Sequence, residues 1–192
     1  MDPSPWTVTP PPAEHLDLGD GLALRRWRED DAEAVTAAVT SSLDEIADWM
    51  PWAAGGYGEQ DSRDWLAHSH QQWESGLEFD YAVVEHGDVV GSIGLMARRG
   101  PGVLEIGYWL RTDRTGHGLV TRAADALARL ALSRPDVERV AVVHDAGNVR
   151  SQGVPERLGF RRVGTEPKSD GAARRTGDTS VVWELADPGL LP

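Results

Sequence analysis

The residues best placed to do chemistry surround a glycine-containing turn, Thr115-Gly116-His117-Gly118. Residues 105–110, ahead of the turn, alternate in polarity and include aromatic side chains, which favours a strand. From Leu119 to Leu132 apolar residues repeat at helical spacing, which predicts an amphipathic helix. A strand, a glycine turn and a helix N-terminus together present backbone N–H groups to an anion. The pattern predicts a phosphate site, and a plain turn that needs glycine for its geometry is the alternative.

The form of this turn separates it from the common nucleotide motifs. It is not G-x-G-x-x-G, and it lacks the Gly-Lys-Ser/Thr ending of a P-loop. Residues Thr115–Thr121 instead resemble the acyl-CoA pyrophosphate loop of the GNAT superfamily of N-acetyltransferases, Gln/Arg-x-x-Gly-x-Gly/Ala. Gly118 matches the central glycine, whereas Thr115 and Val120 depart from the usual residue types.

Three further segments carry the same resemblance, in the expected order. Trp49-Met50-Pro51-Trp52 is similar to the RimJ/RimL-like branch, in which this region lines the acceptor side of the cleft, although the tryptophans could equally form a core corner. The strand pair that ends in Glu105-Ile106-Gly107-Tyr108-Trp109 is the second segment. The third is Asn148-Val149-Arg150-Ser151 followed by Glu156-Arg157-Leu158-Gly159-Phe160.

The resemblance implies both a fold and an activity. The expected fold is α/β (α+β), a central mixed, mostly antiparallel sheet of about seven strands flanked by about four helices. A single acyltransferase domain would span residues 21–187, between a proline-rich arm (1–20) and a short tail (188–192). The expected reaction is acetyl transfer from acetyl-CoA to a primary amine, either a protein N-terminus or a small molecule. A non-catalytic acyl-CoA-binding module and a nucleotide-binding α/β protein are the rivals.

The resemblance also assigns binding residues. Backbone N–H groups of the turn would hold coenzyme A, and a strand N–H at Trp109 or Leu110 would polarise the thioester carbonyl. Asn148 and Ser151 would lie along the pantetheine arm. The full cofactor set is Trp109, Leu110, Thr115, Gly116, His117, Gly118, Leu119, Val120, Asn148 and Ser151. The acceptor would be bound by Trp49, Trp52, Glu105 and Tyr108.

Acetyl transfer to an amine needs a base for the ammonium proton. Related enzymes often carry a catalytic carboxylate on this strand, so the resemblance implies Glu105 as the base. It shares strand parity with Gly107 and Trp109, so the three should lie on one face. A solvated strand residue is the alternative reading of Glu105. His117 is a second candidate by residue type, although its place in the turn suggests a side chain that points outward.

The departing thiolate needs a proton, and the usual donor is missing. Many members of the family carry a Tyr where this chain has Pro155. Ser151 is the predicted substitute, with a helix N-cap as its alternative role. A third option needs no acid, because a thiolate with a pKa near 8.5 leaves well unaided.

Composition narrows the partners. The 192 residues carry a net charge of −12, which disfavours nucleic acid as a partner. The charge suits a cationic amine as acceptor; the alternative is that it serves only solubility. The chain has no cysteine and its six His show no metal-like spacing, so no metal is expected. No apolar run reaches the roughly 20 residues that span a bilayer, and no signal pattern is present. We expect a cytoplasmic protein without membrane contact, and a homodimer stays open.

The remaining elements follow from pattern. The N-terminal prolines predict an extended arm, either packed on the body or a disordered tail. Asp30 with Glu33 predicts the N-terminal cap of a helix that begins at Asp31. Further predictions are a helix over 61–75, a hairpin turn at 86–88, a strand over 103–110 and a short helix over 151–158.

Overall fold

The computed structural model describes residues 6–168, 173–175 and 177–191. Its strands are β1 (His15–Asp17), β2 (Leu22–Arg26), β3 (Glu78–Glu85), β4 (Asp88–Met96), β5 (Val103–Leu110), β6 (Arg139–Asp145), β7 (Arg161–Pro167) and β8 (Thr179–Leu185). Its α-helices are α1 (Ala32–Thr40), α2 (Leu43–Trp49), α3 (Glu59–Ser75), α4 (Leu119–Leu132) and α5 (Val149–Arg157). Short 3₁₀ turns cover Pro51–Ala53, Thr112–Arg114 and Pro188–Leu190.

The strands form one sheet in the order β1-β2-β3-β4-β5-β6-β8-β7. Every neighbouring pair is antiparallel except β5 and β6, which are parallel. The predicted mixed, mostly antiparallel α/β fold is therefore confirmed. Over the described residues the sheet has eight strands and the chain five α-helices, because the three-residue β1 and the short α2 add to the expected elements.

Strand alternation divides the side chains between two cores. On one face, Ile106 and Leu95 join the larger cluster, which includes the apolar side of α4. On the other face, Ala82 and Trp109 pack with a smaller cluster built from α1, α2 and α3. Residues of equal parity share a face in a pleated strand, so Glu105 and Gly107 lie on the Trp109 face, as predicted. This second face carries the cleft described below.

The two central parallel strands separate before they end. Pairing between β5 and β6 runs from Val103–Arg139 to Ile106–Val142. Pairing between β5 and β4 continues to Leu110, and no β6 partner is found for residues 107–110 within the described chain. One edge of β5 is thus left with backbone groups that face a gap.

The N-terminal arm packs against the body. Val8 is buried in the larger core, and its N–H donates to the Gly76 carbonyl at 2.9 Å. The Tyr81 hydroxyl donates to the Ala13 carbonyl at 2.8 Å, and the Arg134 guanidinium donates to the Pro10 carbonyl at 2.9 Å. Of the two alternatives left open by the prolines, the packed arm is the one observed.

Three local expectations need correction. Helix α1 is capped at Asp31, not Asp30, and without a side-chain cap bond, because the Asp31 carboxylate accepts two hydrogen bonds from Arg25. The hairpin turn is only His86-Gly87, both with positive φ, which is the type I′ pattern of two-residue loops. Helix α5 begins at Val149, two residues before the predicted start, because Asn148 caps it by accepting the Ser151 N–H at 3.1 Å.

Candidate active site

The glycine turn has the geometry of an anion site. Gly118, at the N-terminal cap of α4, has a left-handed φ of 76°, a conformation that glycine adopts without steric penalty. The first intrahelical bond runs from the Arg122 N–H to the Gly118 carbonyl at 3.0 Å. The N–H groups of residues 119–121 therefore have no carbonyl partner within the helix. Glycine supplies no capping side chain, and these donors are left for a ligand. His117 is exposed, as predicted.

The departing residues in the turn have identifiable roles. The Thr115 hydroxyl, which stands where Gln or Arg is usual, donates to the Thr112 carbonyl at 2.8 Å and so closes the preceding 3₁₀ turn. Val120 is partly buried and packs against the larger core with Leu119. Both departures therefore concern side chains, and the backbone donors of the turn are unchanged.

The open edge of β5 supplies further donors. The Arg111 N–H bonds to the Val90 carbonyl of β4 at 2.8 Å. Backbone direction alternates along a strand, so the N–H groups of Trp109 and Gly107 also point towards β4. Those of Tyr108 and Leu110 point into the gap beside β6. Of the two predicted oxyanion donors, Leu110 is the one whose N–H direction fits.

A cleft of about 940 Å³ opens on the face of the sheet that carries Trp109. Carboxyl groups and aromatic rings dominate its lining. The acidic set is Asp61, Asp64, Glu78, Asp80, Glu105, Asp145 and Glu166, and the aromatic set on this face is Trp49, Trp52, Tyr57, Trp65 and Trp109, while Tyr108 also contributes to the lining from β5. Arg98, Arg99, Lys168 and His144 also line it. Such a lining suits an organic cation.

The predicted acceptor tryptophans lie at this cleft. The Trp52 ring is 5.4 Å from Tyr57 and 6.3 Å from Trp109, measured between ring centroids. Trp52 is 47% exposed, which is unusual for so large an apolar side chain. Trp49 lies against the turn at Gly147. The structure therefore brings both tryptophans to the cleft, where a ligand could cover them.

Glu105 lies in the cleft with both carboxylate oxygens engaged. The Glu105 side chain is 3% exposed. One oxygen accepts from Arg98, and the other is 3.4 Å from the Arg99 guanidinium. Arg99 also makes a two-bond pair with Glu166, at 2.9 and 2.7 Å, and this hydrogen bonding lowers the pKa of Glu166. Glu105 is thus one end of a buried salt-bridge network.

Tyr108 links β5 to the start of α5. Its hydroxyl donates to the backbone carbonyl of Ser151 at 3.0 Å, and burial raises its pKa. Ser151 lies in the first turn of α5, and Asn148 takes the N-cap position that was the alternative role of Ser151. Tyr108 projects to the face of the sheet opposite Glu105 and Trp109, by parity and by its contacts with the larger core.

Asp80 is a cleft carboxyl that the sequence patterns did not single out. In the sheet register it is opposite Gly94, which is opposite Gly107. Burial and, after it, the negative charge of Glu78 raise the pKa of Asp80 to about 7. The signal available in the sequence was an acidic residue inside an apolar strand, but its glycine neighbours become visible only through the register.

The far end of the cleft contains groups that are already paired. The Trp183 indole N–H donates to His144 Nε2 at 3.0 Å, and His144 Nδ1 is 2.8 Å from the Asp145 carbonyl, so both ring nitrogens are used. The Asp145 carboxylate accepts from the N–H groups of Gly147 and Gly177 and lies 3.7 Å from the Lys168 ammonium.

In the described part of the chain, no cluster of three metal-ligating side chains is found, and no helix has the length and apolar character needed to cross a bilayer.

Comparison with known proteins agrees with this geometry. The family profile of the acetyltransferase (GNAT) domain matches residues 22–161. The sequence is 28% identical over 159 residues to "Putative ribosomal N-acetyltransferase YdaF" of Bacillus subtilis (strain 168), covering 77% of this chain and 81% of that protein.

Two solved structures illustrate the shared fold. The RimL ribosomal L7/L12 alpha-N-protein acetyltransferase, in complex with coenzyme A, has a TM-score of 0.82 at 19% identity, covering 90% of this chain and 98% of that one. The Microcin C7 self immunity acetyltransferase MccE, in complex with acetyl-CoA and AMP, has a TM-score of 0.83 at 18% identity, covering 94% and 99%.

Proposed function

Because the chain belongs to the GNAT acetyltransferase family, we propose that it transfers acetyl from acetyl-CoA to a primary amine bound in the acidic, aromatic cleft. One observation carries the proposal: β5 and β6 separate beyond Ile106 and Val142, between the cleft and the turn that leads into α4. An extended thioester in that gap would reach the cleft while its pyrophosphate lies on the helix N-terminus.

The donor side consists mostly of backbone groups. The N–H groups at the start of α4 would hold the pyrophosphate, since a helix N-terminus favours negative charge. The Tyr108 and Leu110 N–H groups would pair with the pantetheine arm and the thioester oxygen. A single preorganised donor to a developing oxyanion contributes about 3–4 kcal/mol to transition-state stabilisation. Asn148 and Ser151, which line the same cleft, would flank the arm from α5.

The acceptor side selects an amine by charge and shape. Asp61 and Asp64 line the cleft from α3, and Trp52 with Tyr57 presents ring faces and edges. An ammonium group gains from carboxylates and from aromatic faces together. YdaF is named a putative ribosomal N-acetyltransferase and RimL a ribosomal L7/L12 alpha-N-protein acetyltransferase, which supports a protein N-terminal amine as the first acceptor class to test here. MccE is named for self immunity to microcin C7, and small-molecule amines are the second class.

Two steps of the reaction involve proton transfer. The sequence predicts Glu105 as the base, although its pairing with Arg98 and Arg99 leaves an incoming ammonium in competition with two guanidinium groups. Ser151 is the proposed donor to the thiolate, and the Tyr108 hydroxyl, bonded to the Ser151 carbonyl, fixes the first turn of α5 beside it. Positioning in a closed cleft contributes about 7–11 kcal/mol in well-oriented systems, so strong acid catalysis is not required.

Titration calorimetry with acetyl-CoA, ATP and NAD tests the donor assignment. We expect saturable binding of acetyl-CoA and no comparable heat from ATP or NAD. Tighter binding of ATP or NAD than of acetyl-CoA would contradict the proposal. Incubation of acetyl-CoA with peptides bearing free Ser, Ala or Met N-termini and with small polyamines, read by mass spectrometry, then identifies the acceptor class. Binding without acetylation of any amine would favour the non-catalytic module.

A further inference from the structure

We infer that Asp80, and not Glu105, is the group that accepts the proton of the acceptor ammonium. The inference rests on the proposed function, since it names the base for that reaction. It starts from the sheet register, in which Asp80, Gly94 and Gly107 form one row across β3, β4 and β5. All three residues belong to the cleft lining.

Gly94 leaves the floor of the cleft bare beside Asp80, whereas the methyl group of Met96 lies over Gly107. A Cβ atom at Gly94 would overlap the Asp80 Oδ1 atom, so the carboxyl leans over β4 in the direction of β5. Gly107 is the first β5 residue beyond the last β5–β6 pair, at Ile106. Adjacent strands lie about 4.8 Å apart, which puts the carboxyl about one strand spacing from the point where the gap opens.

The alternative carboxyl in the same cleft is occupied. Glu105 is paired with both Arg98 and Arg99. Among the described residues, no ion pair is found for Asp80, and the nearby Ser69 of α3 acts to lower the pKa of its carboxyl. A general base needs a lone pair that can be directed at the substrate within about 3 Å. Asp80 meets this requirement without the displacement of a guanidinium group.

Burial and the surrounding charges keep the pKa of Asp80 near neutral pH. Burial and Glu78, two residues earlier on β3, raise its pKa to about 7, against the opposing effects of Ser69 and the Arg98 guanidinium. The other titratable groups that face the cleft from the packed elements are Tyr57 before α3, Asp61 and Asp64 on α3, Arg99 after β4, Glu105 on β5, His144 and Asp145 on β6, Glu166 on β7 and Lys168 just after it. A base is most effective when its pKa lies near the working pH.

The ammonium transfers one proton to the Asp80 carboxylate, and the neutral nitrogen attacks the thioester carbon. The new C–N bond forms, the C–S bond breaks, and its electron pair leaves on the sulfur of coenzyme A. The second proton of the attacking nitrogen is released and the thiolate takes one proton, so the products are the acetamide and free thiol. Asp80 then returns its proton to water.

The test is the pH dependence of kcat/KM for wild type, Asp80→Asn and Glu78→Gln, with the amine found by the acceptor screen. Thiol release reports the rate, and calorimetry with acetyl-CoA checks that each variant is folded. Asp88→Asn, the same substitution at an exposed residue of the same hairpin, is the matched control. We expect Asp80→Asn to lower kcat/KM by about 10²–10³-fold with unchanged acetyl-CoA affinity, and to remove the acid limb near pH 7.

Glu78→Gln separates the base from the amine itself, whose own ionisation also produces an acid limb. Removal of the Glu78 charge lowers the pKa of Asp80, so the limb should move to lower pH, whereas a limb from the free amine would not move. An Asp80→Asn enzyme that retains wild-type kcat/KM, or a limb unmoved in Glu78→Gln, would overturn the inference and leave the proposed function intact. Absence of acetyl transfer by the wild type would refute the proposed function instead.

Discussion

The raised pKa of Asp80 predicts how its replacement changes stability with pH. In wild type the pKa rises from 3.8 to about 7 on folding, so the folded state binds the proton more tightly than the unfolded state. The stabilising contribution is complete below about pH 4 and is lost as the pH rises through about 7. At about 1.4 kcal/mol per pKa unit the full span is about 4 kcal/mol. Because Asp80 is partly exposed, we expect about 2–3 kcal/mol.

Asparagine at position 80 has nearly the same shape and does not titrate. The difference in unfolding free energy, Asp80→Asn minus wild type, should therefore grow between pH 4 and pH 7 and stay constant above pH 8. Urea denaturation at five pH values between 4 and 9 measures it, with Asp88→Asn as the exposed control. A difference that varies by less than about 0.5 kcal/mol over that range would refute the reasoning, because it would mean that the Asp80 pKa is not raised on folding.

Three further predictions concern the donor and acceptor sides. Gly118→Asp should weaken acetyl-CoA binding by about 100-fold or more in calorimetry, because a carboxylate would face the pyrophosphate. Gly118→Asn is the control, since asparagine tolerates the same left-handed φ, and it should weaken acetyl-CoA binding much less. Equal losses of affinity in the two variants would contradict an anion site. Glu105→Gln should lower the free energy of unfolding by about 1–3 kcal/mol, because it removes the buried carboxylate that pairs with Arg98 and Arg99. The acid limb of the kcat/KM profile should stay in place, and loss of that limb would restore Glu105 as the base. Tyr108→Phe should lower stability by about 1 kcal/mol through loss of the bond to the Ser151 carbonyl. It should also raise the KM for acetyl-CoA, and an unchanged KM would count against the role of its hydroxyl in fixing the first turn of α5 beside the pantetheine arm.

Local pattern was sufficient for most elements of this fold. The predicted bounds of β5, Val103–Leu110, match the observed strand, because alternation in a long apolar strand is a strong signal. The helix after the glycine turn was predicted because its apolar residues recur at helical spacing. β1 was missed, since its three residues are defined by pairing with β2 rather than by any pattern of their own. α2 was missed because seven residues are too few for helical periodicity to emerge.

The candidate site was less accessible than the fold. Strand parity predicted correctly that Glu105 and Trp109 share a face. It could not show that two arginines from the β4–β5 connection form salt bridges with the Glu105 carboxylate. Those contacts depend on the loop path. Asp80 becomes notable only when the register aligns it with Gly94 and Gly107, which are 14 and 27 residues further along the chain. Register between distant strands is set by the whole sheet, and a single sequence does not display it.

Transfer of the acetyl group itself is the most direct test of the account. Wild type, Gly118→Asp and Asp80→Asn would each be incubated with acetyl-CoA and peptides that carry a free N-terminal amine, with free thiol and peptide mass both recorded. We predict acetylated peptide and stoichiometric thiol with wild type, loss of both with Gly118→Asp through failed acetyl-CoA binding, and loss of both with Asp80→Asn despite normal binding. Thiol release without acetylated amine, or equal acetylation by all three proteins, would contradict the proposed acetyl transfer.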